Sequence, residues 1–251
     1  MLQPIMNTAI SLLATCHGVR TVRDAVLVSM LTYKGLGIMV GIYISGGISG
    51  AHLNPSISIM LSIFRGFPWH FCWRYIVAQF LGAFTAAGIA YGIYRDAIMR
   101  LHSSSPSSTT GTAFYTRPQD SISNTSAFFN EFVASAIVSC AILALGDDSN
   151  APPGAGMHAF IIGLLVIAVT VGFSYNTGAC VNPARDFGPR LVTLAAGYGG
   201  RVFTERHCWW LWGCWIATTS GSITGAALYD LCIFVGGESP LNYPSGSIRD
   251  R

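Results

Sequence analysis

Five apolar stretches leave this chain little choice of solvent. They run over roughly 25–45, 73–94, 126–145, 158–173 and 208–235, close to the roughly 20 mostly apolar residues that a bilayer-spanning helix needs. Only 10% of the 251 residues are charged, under half of the roughly one quarter usual in soluble domains. That is too little charge to cover a water-facing surface, so the chain reads as a multi-span helical membrane protein. A net charge of +3 without any block of Lys or Arg gives no reason to expect a nucleic-acid partner. Glycines punctuate the stretches, as expected where membrane helices cross closely. Trp69, Trp73, Trp209, Trp210 and Tyr94 lie near the ends, where amphipathic rings favour the interface.

Two further apolar pieces are too short to span. PSISIMLSIF follows Asn54 and PARDFGPRLVTLAA follows Asn182. Asn is a good helix N-cap and Pro suits the first helical position, so both read as helix starts. Inside a membrane protein a short capped helix is tolerated only where protein or a water-filled path surrounds its free backbone groups. The connections are simpler. Residues 101–125 are rich in Ser, Thr and Pro and read as an exposed loop, with an acceptor sequon at Asn124-Thr125-Ser126. The expected organisation is one membrane domain: a first repeat over about 1–100, that loop, a second repeat over about 126–235, and a tail over 236–251. Residues 5–16 are apolar but short; they read either as a thin first span or as the remnant of a longer one. No basic region, apolar core and cleavage site suggest a removable signal peptide. The seven cysteines form no C-x-x-C pair and read as small buried hydrophobes, not as a disulfide framework or a zinc site. No metal or cofactor is expected.

The internal repeat carries the functional signal. Gly50-Ala51-His52-Leu53-Asn54-Pro55-Ser56 echoes Gly178-Ala179-Cys180-Val181-Asn182-Pro183-Ala184. An odd number of spans separates the copies, so they enter from opposite sides as inverted-topology repeats. Each half-helix tip carries a partial positive charge and unpaired N–H groups. Two tips facing each other raise a barrier to cations, while Asn54 and Asn182 offer amide donors to a passing hydroxyl. The carbonyls of Gly50, Ala51, His52, Gly178, Ala179 and Cys180 lack helical partners and could form a ladder of acceptors. Donors and acceptors without net charge suit neutral hydroxylated solutes.

The stretches SGGISGAHLNPSISI (45–59), NTGACVNPARDFGPRLV (176–192) and IVAQFLGAFTAAGIAYGIY (76–94) resemble the aquaporin family, specifically its glycerol-conducting branch. The resemblance implies an all-α bundle of six spans, the first short or incomplete here, plus two re-entrant half-helices. It implies a homotetramer in the lipid bilayer, passive flow of glycerol, water and similar small neutral solutes, and no enzymatic activity. The plasma membrane is the expected location, with an intracellular membrane as the alternative. It also implies an outer constriction at Lys34, Thr170, Ala179 and Arg185, a branch marker at Asp186 that partly offsets Arg185, and a buried brace at Glu131 for the second loop. His52 is expected to brace the first loop.

Several positions depart from that pattern. Lys34 stands where the branch usually has an aromatic, and Ala179 where another is common. Lys34 either snorkels to the exterior, enters the pore and alters selectivity, or marks a degenerate channel. Ser56 replaces the usual Ala, Cys214 stands at a usual Pro, and the first span's usual Glu is absent, with Gln3 nearest. The resemblance puts both termini in the cytoplasm, whereas the arginine distribution opposes the positive-inside bias. Beside the glycerol channel, the readings weighed are a non-conducting structural or regulatory subunit and an ion-coupled transporter or membrane enzyme. The last lacks midplane titratable groups or any nucleophile or metal motif.

Overall fold

The computed structural model describes residues 23–104, 108–154, 156–236 and 239–242, with side chains described for these except over 23–33, 101–104 and 108–109. The apolar segment 5–16 and Gln3 lie outside them. Every described element is helical: α1 (Arg23–Ser49), α2 (Pro55–Phe64), α3 (Trp69–Ser104), α4 (Asn124–Leu145), α5 (Met157–Thr177), α6 (Pro183–Thr193), α7 (Arg201–Leu211) and α8 (Thr218–Cys232). A single turn, Ser108–Gly111, and two π-helical turns, Leu194–Tyr198 and Trp212–Ala217, complete the order. Three long helices, α3 to α5, separate the two short ones, so α2 and α6 enter from opposite sides. The fold is that of an inverted repeat.

Polarity is inverted relative to a soluble protein. Val77, Leu81, Ile93, Val171, Leu228 and Leu231 are each more than half exposed, whereas Ser56, Ser58, Glu131, Ser135, Ser139, Thr177, Asp186 and Arg190 are almost fully buried. A surface of this kind is stable only against hydrocarbon, with the polar groups turned inward to find partners. Among the described residues, Trp69–Arg100, Asn124–Leu145 and Met157–Thr177 are long and apolar enough to cross a membrane. The chain is an integral membrane protein.

The helices pack through glycine where backbones approach. A Cβ on Gly221 of α8 would lie 2.2 Å from the Phe132 carbonyl of α4, and one on Gly225 2.1 Å from that of Ala136. The α1–α5 crossing repeats this at Gly35, whose added Cβ would meet the Gly163 carbonyl at 2.2 Å. In lipid there is no hydrophobic drive between helices, so such close contact supplies the association. Each half-helix packs on the closing span of the opposite repeat, α2 on α8 and α6 on α3. Arg65, just past the end of α2, fixes that arrangement through an ion pair to buried Asp230 of α8, 2.8 Å long.

Three expectations need correction. Part of the 101–125 connection is not exposed: Thr110, Phe114, Tyr115 and Thr116 are buried, because Thr116 is drawn inward to Asp186. Trp69 and Trp73 are indeed exposed, but Trp209 is fully buried and donates its indole N–H to Thr116 Oγ1. The stretch 208–235 is not one uniform helix. Arg206, His207 and Cys208 adopt left-handed φ between 50° and 64°, so the helix starts just after this break and then runs on through the π turn and α8 to Cys232. Of the cysteines, Cys72, Cys180 and Cys214 are buried as expected, while Cys208 and Cys232 are exposed.

Candidate functional site

The two asparagines do two jobs each. Asn54 Oδ1 accepts from the N–H of Ser56 at the start of α2, and Asn182 Oδ1 accepts from those of Ala184 and Arg185 at the start of α6. That is N-capping. The amide nitrogens cross between the loops: Asn54 Nδ2 donates to the Val181 carbonyl, and Asn182 Nδ2 donates to the Leu53 carbonyl, both at 2.8 Å. Asp could cap but could not donate, and Ser could not reach in both directions, so Asn is chemically required. The reciprocal bonds tie the half-helix tips together. Each NH2 group retains a second hydrogen.

The loops leading to the tips share one backbone shape. Gly50, Ala51 and Leu53 have φ of 66°, 50° and 55°, and Gly178, Ala179 and Val181 have 88°, 48° and 52°. Only glycine adopts this region freely, and a β-branched residue such as Val181 is strained there. The second loop is held by Glu131, which is fully buried in α4. One carboxylate oxygen accepts from the Thr177 hydroxyl (2.5 Å) and the Cys180 N–H (2.9 Å); the other accepts from the Val181 N–H (2.9 Å). In the first loop His52 Nδ1 lies 3.1 Å from Ser58 Oγ, and its ring sits against Phe67 and Tyr75.

A cavity of about 180 Å³ runs past both tips. Its wall includes Asn54, Asn182, Ala184, Gly50, Ala51, His52, Ala179 and Cys180, backed by Ile38, Ile57, Leu61, Val138 and Val169. Lys34, Thr170 and Arg185 line the same space. Pro55, Ser56 and Pro183 are buried but do not line it; Ser56 Oγ instead lies 3.1 Å from the hydroxyls of Thr218 and Thr219, tying α2 to α8. Gly178 is also absent from the wall. Its carbonyl is occupied by the Lys34 ammonium at 2.9 Å. Of the alternatives for Lys34, it lines the cavity with its ammonium turned inward onto the second loop, not snorkelling to the exterior. Thr170 turns its hydroxyl back onto the Val166 carbonyl.

A profile of the major intrinsic protein family matches residues 5–229. The chain belongs to the major intrinsic protein family. It is 54% identical over 217 residues to aquaglyceroporin-4 of Botryotinia fuckeliana, covering 86% of this chain and 30% of that protein. It is 45% identical over 220 residues to the aquaglycerol porin AQY3 of Saccharomyces cerevisiae, covering 86% and 34%. The chain thus spans about a third of the length of these curated relatives. The X-ray structure of the aquaglyceroporin from Plasmodium falciparum superposes with a TM-score of 0.84 at 31% identity, covering 92% of this chain and 93% of that one.

Two features of this family member differ from the sequence reading. Asp186 does not offset Arg185. It pairs with Arg190, one helical turn on, at 2.5 Å, and takes the N–H and hydroxyl of Thr116 at 2.6 Å. The i,i+4 spacing puts Asp186 and Arg190 on one face, away from the cavity. Arg190 also donates to the carbonyls of Val202 and Thr116, so the pair is a buried anchor for the connection between the repeats. Arg185 donates to the Phe114 carbonyl at 3.2 Å. The second feature is Asn130, which sequence reasoning passed over. It donates to the Phe173 carbonyl and Thr177 Oγ1 and accepts from Asn176, so it aligns the very hydroxyl that Glu131 accepts. A polar side chain within a span was the available signal. Asn124 of the sequon is the exposed first residue of α4.

Proposed function

We propose that this chain is a passive channel conducting glycerol and other small neutral solutes, with some water, and that it is not an enzyme. The observation that carries this reading is the crossed pair of asparagine bonds beside the cavity. It fixes two amide donors at the meeting point of two half-helix tips, each with one hydrogen left for a solute hydroxyl. The tips are electropositive. Lys34 and Arg185 add two cations, and no Asp or Glu lines the cavity among the described residues. A cation entering would meet only like charge. A neutral polyol instead finds donors on the Asn side and carbonyl acceptors from Gly50, Ala51, His52, Ala179 and Cys180, while its carbon face lies on the aliphatic wall.

In this proposal Lys34, Thr170, Ala179 and Arg185 form the selective constriction, Glu131 and His52 hold the loops, and four copies of the chain assemble in the plasma membrane with one path each. Two relatives bear the names aquaglyceroporin-4 and aquaglycerol porin, which agrees with the solute class. The test is a glycerol gradient across proteoliposomes. Vesicles holding the protein should shrink and then re-swell quickly in glycerol while staying shrunken in sorbitol. Recovery at the rate of protein-free vesicles would end the proposal.

A further inference from the structure

The thiols of Cys180 and Cys214 have no role in the assignments above, yet they meet. Their sulfurs, with a carboxylate oxygen of Asp186, lie within 4.8 Å of one another. Both residues are buried and free thiols. Cys180 belongs to the loop before Asn182 and lines the cavity; its S–H is 3.4 Å from the Asn182 carbonyl. Cys214 lies behind it in the π turn, without a place in the cavity wall, 3.2 Å from Thr116 Oγ1. The Asp186 carboxylate is committed to Arg190 and Thr116. A metal would therefore find two sulfurs but no free third ligand, and would have to pass two cations to reach them. A small neutral reagent meets neither obstacle.

We propose that Cys180 and Cys214 form a reversible disulfide on oxidation by hydrogen peroxide or a small organic hydroperoxide arriving through the cavity, and that this closes the channel. This rests on the reading of the cavity as a path for small neutral solutes. The Cys180 sulfur attacks the O–O bond; the S–O bond forms, and the leaving hydroxide takes the thiol proton as water, giving a sulfenic acid. The Cys214 sulfur then attacks the sulfenic sulfur. The S–S bond forms, the S–O bond breaks, and a second water leaves with the Cys214 proton. Two thiols and one peroxide thus give one disulfide and two waters, with no net charge left in a buried site. A disulfide holds its sulfurs about 2.05 Å apart, so they must close by less than about 2.8 Å from the present separation. Cys180 sits between Ala179 and Val181, both in left-handed conformations, and its N–H is held by Glu131. Drawing its side chain towards Cys214 therefore moves the cavity wall between Ala179 and Asn182.

The test uses purified protein in proteoliposomes treated with hydrogen peroxide. Pepsin digestion and tandem mass spectrometry should find a peptide pair joining Cys180 to Cys214 that vanishes on reduction. Glycerol flux should fall at least fivefold and return with reductant. Cys214→Ser should conduct like the parent before oxidation, and its Cys180 should be captured as a dimedone adduct. Oxidation of the exposed Cys208 or Cys232 with no 180–214 link in the same sample would overturn the proposal; a link formed with unchanged flux would overturn the closure. The peptide readout is independent of conduction, so a protein that passes no glycerol still tests the thiol pair.

Discussion

Replacing Lys34 with Met removes the ammonium while keeping an unbranched stem of similar length. In the parent, the ammonium donates to the Gly178 carbonyl at 2.9 Å, so an acceptor that could serve a solute is already taken. A hydrogen bond from a charged donor nets about 1.5–3 kcal/mol. A glycerol hydroxyl that claims this carbonyl must displace the lysine, and regains part of the loss by accepting from the freed ammonium. A remainder of about 1–2 kcal/mol on the barrier is a factor of about 5–30 in rate. Stopped-flow light scattering of proteoliposomes at equal protein density should therefore show Lys34→Met recovering about 5–30-fold faster in glycerol than the parent. Lys34→Arg, which keeps a donor near the same carbonyl, should stay near the parental rate. If Lys34→Met conducts within twofold of the parent, or more slowly, the ammonium is not an obstacle and the reasoning fails.

Glu131→Gln puts an NH2 group where Oε2 now accepts from Val181. Two donors then face each other, an unpaired buried N–H costs about 1–3 kcal/mol, and the strained loop loses its hold, so glycerol flux should drop at least tenfold while the protein still reaches the membrane; parental flux would show the brace to be dispensable. Gly221→Ala sets a methyl 2.2 Å from the Phe132 carbonyl, and overpacking of this kind costs about 1–3 kcal/mol, so the melting temperature in detergent should fall; an unchanged value would contradict the close α4–α8 contact. Tyr229→Phe tests pH dependence: the tyrosine hydroxyl donates to Asp147 at 2.7 Å and, with the Ser149 N–H, holds that carboxyl below its ordinary value of about 3.8. With the folded pKa depressed, stability from this carboxylate is fully present above the unfolded value and is lost as pH falls through the folded one. Tyr229→Phe should therefore melt lower than the parent near neutral pH, and the gap should narrow below about pH 4; a gap independent of pH would remove Asp147 as the cause.

Most of the scaffold was legible because membrane folding writes its requirements locally. An apolar run of bilayer length and an Asn-Pro at a helix start each carry their own explanation, and the α2 span Pro55–Phe64 begins and ends where PSISIMLSIF does. What stayed hidden depends on partners distant in sequence. Asp186 looked like a neighbour to Arg185, but its actual partners are Arg190, a helical turn on, and Thr116, 70 residues away. The burial of 114–116 follows from that pairing, so composition alone read the connection as exposed. Trp209 misled for the same reason: a tryptophan near a span end ordinarily sits at the interface, whereas this one packs on Ala127 and Cys180, distant in sequence, and gives its N–H to Thr116.

The repeat conserves backbone shape more faithfully than it conserves the chemistry that maintains the shape. Both loops turn left-handed at the same three positions before their asparagine, and in each loop two of those three are not glycine. Such conformations cost of order 1–3 kcal/mol each and persist only where surroundings over-determine them. In the second loop the surroundings are a buried carboxylate with three donors, aligned by Thr177 and Asn130. In the first, among the described residues, they are a histidine set between Phe67 and Tyr75 and bonded to Ser58, which Gln79 also reaches at 3.0 Å. Two unlike braces holding one shape implies that the shape itself is what the molecule requires: it delivers each asparagine amide to the opposite loop. Exchanging the braces between the loops should therefore fail even though the backbones match, because Glu131 reaches the second loop from α4, and the first loop meets a neutral ring at the corresponding point.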